Sequence, residues 1–153
     1  IPDLLPKLPG LLAPRQTDGQ KDGSIIVVLA TDAPLLPHQL KRVARRAALG
    51  LGRLGSFAGN GSGDLMMAFS TAEGVNGVSD EHVKPFAQLP NGQIDPLFKA
   101  TVEAAEEAVV NALVAAETMT GGNGNRAYGL PHDELKAILA KYNRLAGEKG
   151  RGE

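Results

Sequence analysis

Residues 23–32 read GSIIVVLATD and residues 64–72 read DLMMAFSTA, and these two apolar runs decide the fold. The first run is rich in β-branched side chains, and both are continuous rather than alternating. Such runs are typical of strands that are buried on both faces of a sheet. We therefore predict two interior strands, with one at each run.

An amphipathic helix is predicted between the two strands, beginning at Pro37. Its apolar residues recur at intervals of three and four, whereas basic residues take the opposite face. The apolar positions are Leu40, Val43, Ala44, Ala47 and Leu51, and the basic positions are Lys41, Arg42, Arg45 and Arg46. The glycines from residue 50 to residue 63 then indicate a loop before the second strand.

Two further helices are predicted in the second half of the chain. Asp95 and Pro96 supply an N-cap and a first-turn proline for a long helix that ends near Gly121. A shorter helix is expected from Pro131 toward Leu145. The pattern thus mixes helices and strands and contains no internal repeat.

The composition excludes several classes of protein. The 153 residues contain no cysteine, so disulfides and thiolate metal sites are excluded. A net charge of -1 provides no overall attraction to nucleic acid or to an acidic membrane. No apolar run approaches the roughly 20 residues of a membrane span. We expect neither nucleic acid nor a membrane as a partner, and interpret the basic helix face as solvated.

Several patterns that carry chemistry elsewhere have little support here. GLGRLG at 50–55 matches the G-x-G-x-x-G motif of dinucleotide-binding proteins, which requires a preceding strand. Here a helix is predicted before it, so we interpret the motif as a helix stop. TGGNGNRAYG at 120–129 is predicted to be a flexible loop. His38, His82 and His132 lack the spacing of a helical zinc site and do not suggest a Ser-His-Asp triad. No metal or cofactor is expected.

The polar residues with a chemical pattern lie where the two predicted strands begin. Ser24 follows Gly23 at the first strand, and Ser62 and Asp64 enter the second. Residues i and i+2 of a strand share a face, so Ser62 and Asp64 can present a hydroxyl and a carboxylate side by side. If the strands are neighbours, Ser24 could meet both. Spacing alone also allows Ser24 to end a turn, Ser62 to cap backbone groups and Asp64 to be a loop acid.

Three stretches resemble the self-processing aminopeptidases, which include L-aminopeptidase/D-amino-acid esterase-amidases and β-peptidyl aminopeptidases. They are residues 22–46, 59–72 (GNGSGDLMMAFSTA) and 106–121 (EEAVVNALVAAETMTG), and the similarity extends from Gly23 to about Leu145. The resemblance implies an α+β fold class. The chain would form part of a four-layer α-β-β-α sandwich, with two central strands and flanking helices.

The resemblance also implies a mechanism. The precursor would cut itself between Gly23 and Ser24, and the new N-terminal Ser24 would act as the catalytic nucleophile. Its freed α-amine, with a pKa of about 7.7–8.0, would be the base. Ser62 would orient Ser24 or relay a proton to it, and Asp64 would hold the serine pair and the charged amine. Members of the family often carry glutamate at the Asp64 position.

By the same resemblance, residues 1–23 are a proline-rich linker that ends an upstream α-subunit region, and residues 24–153 are the nucleophile-bearing β-subunit region. The oxyanion-stabilising asparagine and much of the substrate pocket would lie upstream, so this chain alone is expected to be incomplete and inactive. With half of the sandwich missing, an apolar sheet face would be exposed, which predicts poor solubility or obligatory association.

The expected partners are the upstream α-subunit of the same precursor, further copies in a homo-oligomer of processed pairs, and a short peptide, amide or ester substrate. A cytoplasmic location is expected; a periplasmic one stays open, because a signal peptide would lie upstream. Two alternative functions also remain. The chain could be a non-catalytic fragment or assembly module of this fold, or an acyl transferase similar to ornithine acetyltransferases. Those transferases use an N-terminal threonine, so Ser24 argues against the second.

Overall fold

The computed structural model describes residues 23–72 and 87–145. The chain divides into two compact units at residues 109 and 110. The first unit holds the described residues up to Val109, and the second holds those from Val110 onward. Each unit is described by itself.

The first unit is built on two parallel strands. β1 (Ile26–Thr31) and β2 (Leu65–Ser70) pair directly, with Ile26 opposite Leu65. Both predicted strands are therefore confirmed, each a few residues shorter than its apolar run. The direct pairing also meets the condition under which Ser24 could approach Ser62 and Asp64, because it makes the two segments preceding the strands neighbours.

The prediction that both faces of these strands are buried is wrong for the described residues. Burial alternates along each strand, so one face is half-buried and the opposite face is exposed. The exposed large side chains are Ile26, Val28, Leu65, Met67 and Phe69. A continuous apolar run is the pattern of a strand covered on both sides, whereas the described part of the chain covers only one. The expected exposed apolar sheet face is thus present.

Helix α1 (Pro37–Arg53) connects the two strands and contacts both. Pro37 is its first residue, as predicted. The predicted apolar positions Val43, Ala44, Ala47 and Leu51 are buried. These side chains form much of the core of this unit together with Leu35, Ile94 and Ala105.

Gln39 is a buried polar residue at the start of α1, with only 1% of its surface exposed. Its Oε1 accepts a hydrogen bond from the Leu36 backbone N–H at 2.9 Å. Its Nε2 donates to the Leu89 carbonyl oxygen at 2.8 Å and to Asn91 Oδ1 at 3.1 Å. Because these bonds satisfy the amide, its burial is compatible with a stable core. Gln39 thereby ties the segment before the next helix to α1.

Helix α2 (Asp95–Ala115) follows a single 3-10 turn at Asn91–Gln93. Asp95 is the first helical residue rather than the predicted N-cap, and the helix ends before the predicted Gly121. Polar residues and short strand pairing follow Ala115, so the helical periodicity does not continue.

The early turns of α2 pack closely against α1. A Cβ at Gly50 would lie 2.5 Å from the Val102 carbonyl oxygen, so the two backbones approach where α1 carries no side chain. The Arg42 and Arg46 guanidinium carbons lie 5.1 and 3.9 Å from the centroid of the Phe98 ring. Part of the basic face predicted to be solvated is therefore stacked on α2.

The second unit contains a short hairpin and a helix. β3 (Met119–Thr120) pairs with antiparallel β4 (Arg126–Ala127) across the 3-10 turn Gly122–Gly124. The prediction of a loop through 120–129 is therefore corrected to a hairpin. Asn123 and Gly124 have positive φ values of 58° and 74°, which reverse the chain within the turn. Helix α3 (His132–Lys141) confirms the shorter predicted helix.

Candidate active site

The parallel register brings the two predicted site segments together where β1 and β2 begin. The Gly63 backbone N–H donates a hydrogen bond to Ser24 Oγ, with 2.9 Å between nitrogen and oxygen. The Leu65 N–H donates to the Ile25 carbonyl oxygen at 2.9 Å. The position of the Ser24 hydroxyl therefore depends on the backbone of the neighbouring segment.

Asp64 also connects the two segments. Its Oδ1 accepts a hydrogen bond from the Ile25 backbone N–H at 3.0 Å, across 39 positions of sequence. The carboxylate thus lies against the peptide that follows Ser24.

Ser62 is half-buried and belongs to the tight turn that leads into β2. Its backbone N–H donates to the Gly59 carbonyl oxygen at 2.9 Å. Its side chain lines the same cleft as Ser24 and Asp64. In the described part of the chain, no hydrogen bond joins the Ser62 and Ser24 hydroxyls. The two side chains therefore line one cleft without a direct bond along which a proton could pass.

The three predicted residues share a cleft of about 370 Å³. Gly23 and Ile25 border it beside Ser24. The remaining lining comes from the end of α1, the following loop and one residue of α2: Leu51, Leu54, Gly55, Ser56, Phe57, Ala58, Gly59 and Val109. Among these described lining residues and the three predicted ones, Asp64 alone carries a charge. The cleft thus combines three serine hydroxyls and one carboxylate with a largely apolar lining.

Sequence reasoning missed the loop at 54–59 as part of the site. Its glycines were interpreted as an interruption between regular elements, and no periodicity marks its contribution. Phe57 was the available signal, because a large aromatic residue in a loop of glycine and serine has no evident role in a helix or strand face.

The dinucleotide-like motif and two of the three histidines lie within the described residues. GLGRLG ends α1 and turns the chain at Leu54 and Gly55, so the helix-stop interpretation is confirmed. His132 Nε2 lies 2.8 Å from the Val114 carbonyl oxygen, His38 is exposed, and His82 lies outside the described residues. Within 23–72 and 87–145 no group of three acidic or histidine side chains could hold a metal. No helix in those ranges has the length and apolarity needed to cross a membrane.

Comparison with solved structures defines the class of fold. The chain is similar to an L-aminopeptidase D-Ala-esterase/amidase from Ochrobactrum anthropi, described as a prototype for the serine aminopeptidases and a variant of the Ntn hydrolase fold. The TM-score is 0.69 at 44% identity, covering 78% of this chain and 34% of that one. For the PH0078 protein from Pyrococcus horikoshii OT3 the TM-score is 0.74 at 50% identity, covering 80% and 34%. The mixed arrangement of helices and strands is consistent with the Ntn hydrolase fold.

The chain belongs to peptidase family S58, whose sequence profile matches residues 7–127. It is 55% identical over 128 residues to the β-peptidyl aminopeptidase BapA of Sphingosinicella microcystinivorans. That match covers 84% of this chain and 32% of the relative. The resemblance seen in the sequence is confirmed, and the chain spans about a third of the length of the relatives it matches.

Proposed function

We propose that this chain carries the nucleophile of a self-processing serine aminopeptidase that acts on short peptides, amides or esters. One observation carries the proposal: Ser24 Oγ is held 2.9 Å from the Gly63 N–H, in a cleft that also contains Ser62 and Asp64. Membership of peptidase family S58 supports the same activity. Ser24 stands two residues before β1, and Ile25 between them is hydrogen-bonded to Leu65, so a scission there would leave a new N-terminus beside the sheet.

The self-cleavage step involves the peptide bond between Gly23 and Ser24. Ser24 Oγ attacks the Gly23 carbonyl carbon, the C–N bond breaks, and the acyl group passes from nitrogen to oxygen. Water then hydrolyses the ester, leaving a Gly23 carboxylate and a free Ser24 α-amine. This reaction needs no cofactor, since the attacking oxygen and the peptide bond that breaks belong to the chain. Water supplies the atoms needed to hydrolyse the ester.

The freed amine supplies the base for substrate turnover. With an ordinary pKa of about 7.7–8.0, an α-amine is partly neutral near pH 7 and can accept the hydroxyl proton as Oγ attacks the substrate carbonyl. The same group then protonates the departing nitrogen, and water hydrolyses the acyl-serine. A hydroxyl can accept the Gly63 N–H bond and still donate its own proton, so the observed contact is compatible with this transfer.

Asp64 and Ser62 have supporting roles in the proposal. The Asp64 carboxylate is hydrogen-bonded to the residue next to Ser24, where a negative charge favours the ammonium form of the new terminus. Ser62 is proposed to orient Ser24 or to relay a proton to it, and its position in the same cleft supports this role.

The finer architecture of the proposal is a four-layer α-β-β-α sandwich completed by an upstream α-subunit, with processed pairs that assemble further. The exposed apolar face of β1 and β2 supports this arrangement, because such a face is unfavourable in water unless it is covered. The oxyanion donor and much of the substrate pocket would come from the upstream subunit. Activity therefore belongs to the complete protein.

A direct test compares the full-length protein with its Ser24→Ala and Leu49→Ala variants. Leu49 is the control, because it is exposed on α1 and does not line the cleft. We expect wild type and Leu49→Ala to yield a subunit beginning at Ser24 by intact mass, and to hydrolyse aminoacyl amides. Ser24→Ala should remain uncut and inactive. Cleavage of Ser24→Ala at the same bond would rule out Ser24 as the processing nucleophile, whereas a processed but inert wild type would favour an assembly module.

A further inference from the structure

Phe57 is an exposed aromatic residue beside the proposed nucleophile. Its exposed fraction is 87%, higher than that of any other large apolar side chain among the described residues. It nevertheless lines the cleft that contains Ser24 and Asp64. An aromatic ring exposed next to reactive groups is a feature of binding surfaces rather than of a packed core.

The loop that carries Phe57 has a defined conformation. The Ser56 N–H donates to the Leu51 carbonyl oxygen at 3.1 Å, and the Ala58 N–H donates to Ser56 Oγ at 3.3 Å. Ala58 has a φ of 49°, in the left-handed region that a residue with a Cβ rarely adopts, and Gly55 has a φ of 99°. Such strained positions persist where the surroundings hold them and are concentrated at ligand-binding sites. The loop therefore presents Phe57 from a fixed backbone.

Apolar side chains extend the Phe57 surface toward the core. Leu54 follows the last residue of α1, Leu51 is buried within the helix, and Val109 comes from α2. We call Leu51, Leu54, Phe57 and Val109 the apolar wall. It borders the same cleft as Ser24 and Asp64, so the cleft has both reactive groups and an apolar surface.

The size and charge of the cleft restrict what the apolar wall can bind. A volume of about 370 Å³ is near the lower end of the roughly 300–1,000 Å³ typical of ligand pockets. That volume suits a group the size of one or two amino-acid residues. Asp64, the charged side chain among the described lining residues, would repel a nearby substrate carboxylate.

We propose that the apolar wall binds an uncharged apolar side chain adjacent to the scissile bond of the substrate. The inference rests on the proposed function and adds the substrate class that this chain selects. Phe57 is the specificity-determining residue, because its ring is exposed and available for contact. An apolar side chain on the acyl residue and one on the leaving amine would make the same kind of contact with the wall. The two substrate series below distinguish between them.

The test uses the full-length protein with the variants Phe57→Ala, Phe57→Leu and Leu49→Ala. Leu49 is the matched control, because it is 60% exposed, lies on α1 and does not line the cleft. One substrate series places glycine, leucine, phenylalanine or aspartate as the acyl residue before glycinamide. The second keeps alanine as the acyl residue and varies the leaving amine among glycinamide, leucinamide, phenylalaninamide and aspartic acid α-amide, whose side-chain carboxylate is free. The extent of self-cleavage reports whether each variant folds.

Wild type should prefer leucine and phenylalanine over glycine and aspartate in one of the two series, and that series identifies which side of the bond meets the wall. Phe57→Ala should lower the leucine-to-glycine ratio of kcat/KM by about tenfold, with Phe57→Leu retaining most of it and Leu49→Ala all of it. The inference is wrong if neither series shows an apolar preference, or if Phe57→Ala slows every substrate equally. If processed wild type hydrolyses no substrate at all, the proposed function fails and this inference fails with it.

Discussion

At the scale of single residues, main-chain geometry controls the proposed nucleophile. Ser24 Oγ accepts its hydrogen bond from a backbone N–H, and Asp64 receives one from the backbone of Ile25. Neither contact depends on a long side chain that must lose rotamer freedom. The arrangement is therefore sensitive to small changes in the backbone at Gly63 and to the acceptor at Asp64.

Gly63→Ala should reduce turnover by roughly tenfold or more, since misplacement of reacting groups by about 1 Å can cost about 10²-fold. The added Cβ would lie 3.3 Å from Ser24 Oγ, so the hydroxyl or the loop must shift. Hydrolysis rates and the rate of self-cleavage measure the effect. Gly92→Ala is the control, because a Cβ there has no neighbour within 4 Å. Equal rates for the Gly63 variant and wild type would contradict the assigned geometry.

Asp64→Asn should retain the fold but lose about tenfold in turnover, which corresponds to about 1.4 kcal/mol. The asparagine Oδ1 can still accept the Ile25 N–H bond, whereas the negative charge that stabilises the ammonium group formed during proton transfer is gone. Steady-state kinetics and circular dichroism separate the two effects. Asp64→Glu restores the charge and should recover part of the activity; an Asn variant as active as wild type would exclude a role for the charge.

At the scale of elements, α1 links the core to the site. Its middle packs against both strands, its end leads into the loop of Phe57, and Gly50 allows α2 to approach. The position of Val109 in the cleft depends on this helix pair. A defect in packing between α1 and α2 should therefore affect stability as well as the cleft.

Gly50→Ala should destabilise the chain by about 1–3 kcal/mol, the usual cost of overpacking a core. Its Cβ would lie 2.5 Å from the Val102 carbonyl oxygen and 2.9 Å from Ala105 Cβ. In the same helix, Gly52→Ala meets no neighbour within 4 Å and should be neutral or stabilising. Urea unfolding midpoints of the two variants measure the difference, and similar midpoints would argue against close helix packing.

The sequence predicts long elements well and short ones poorly. The three- and four-residue spacing of Val43, Ala47 and Leu51 defines the buried side of α1, because a helix repeats its faces regularly. The two-residue strands β3 and β4 carry no such period, so their hairpin was predicted as a loop.

The candidate site was only partly predictable for a related reason. The i, i+2 rule for strands predicts Ser62 and Asp64 on one face, but both residues precede β2. The bond between Asp64 and the Ile25 N–H depends on the register of two strands far apart in sequence. Phe57 belongs to an irregular loop, where residue spacing carries no information about three-dimensional position. These parts of the site depend on tertiary contacts, which residue spacing in the sequence does not predict.

At the scale of the whole molecule, the exposed sheet face dominates the expected behaviour in solution. Val28 and Met67 are register partners on this face, with exposed fractions of 56% and 55%. Apolar surface of this kind favours association with a complementary surface. In the proposed architecture that surface belongs to the rest of the sandwich.

The double variant Val28→Lys with Met67→Glu should increase the monomeric fraction of the isolated 153-residue chain. Charges of opposite sign on neighbouring strands keep the face polar with little repulsion between them. Light scattering after gel filtration and binding of an apolar dye measure the change. Leu49→Lys, which adds a charge on α1, should have a smaller effect. Unchanged association in the double variant would show that the chain does not associate through the sheet face.

The contacts of Ser24 and Asp64 lie next to the first paired residues of β1 and β2. The proposed scission would therefore depend on correct pairing of the two strands. A slip of one residue would reverse the faces of the strand and separate Ser24 Oγ from the Gly63 N–H. A misregistered chain would then keep its Gly23–Ser24 bond and never gain the α-amine needed for turnover. In the proposed function, maturation would therefore release hydrolytic activity only in molecules whose sheet is correctly paired.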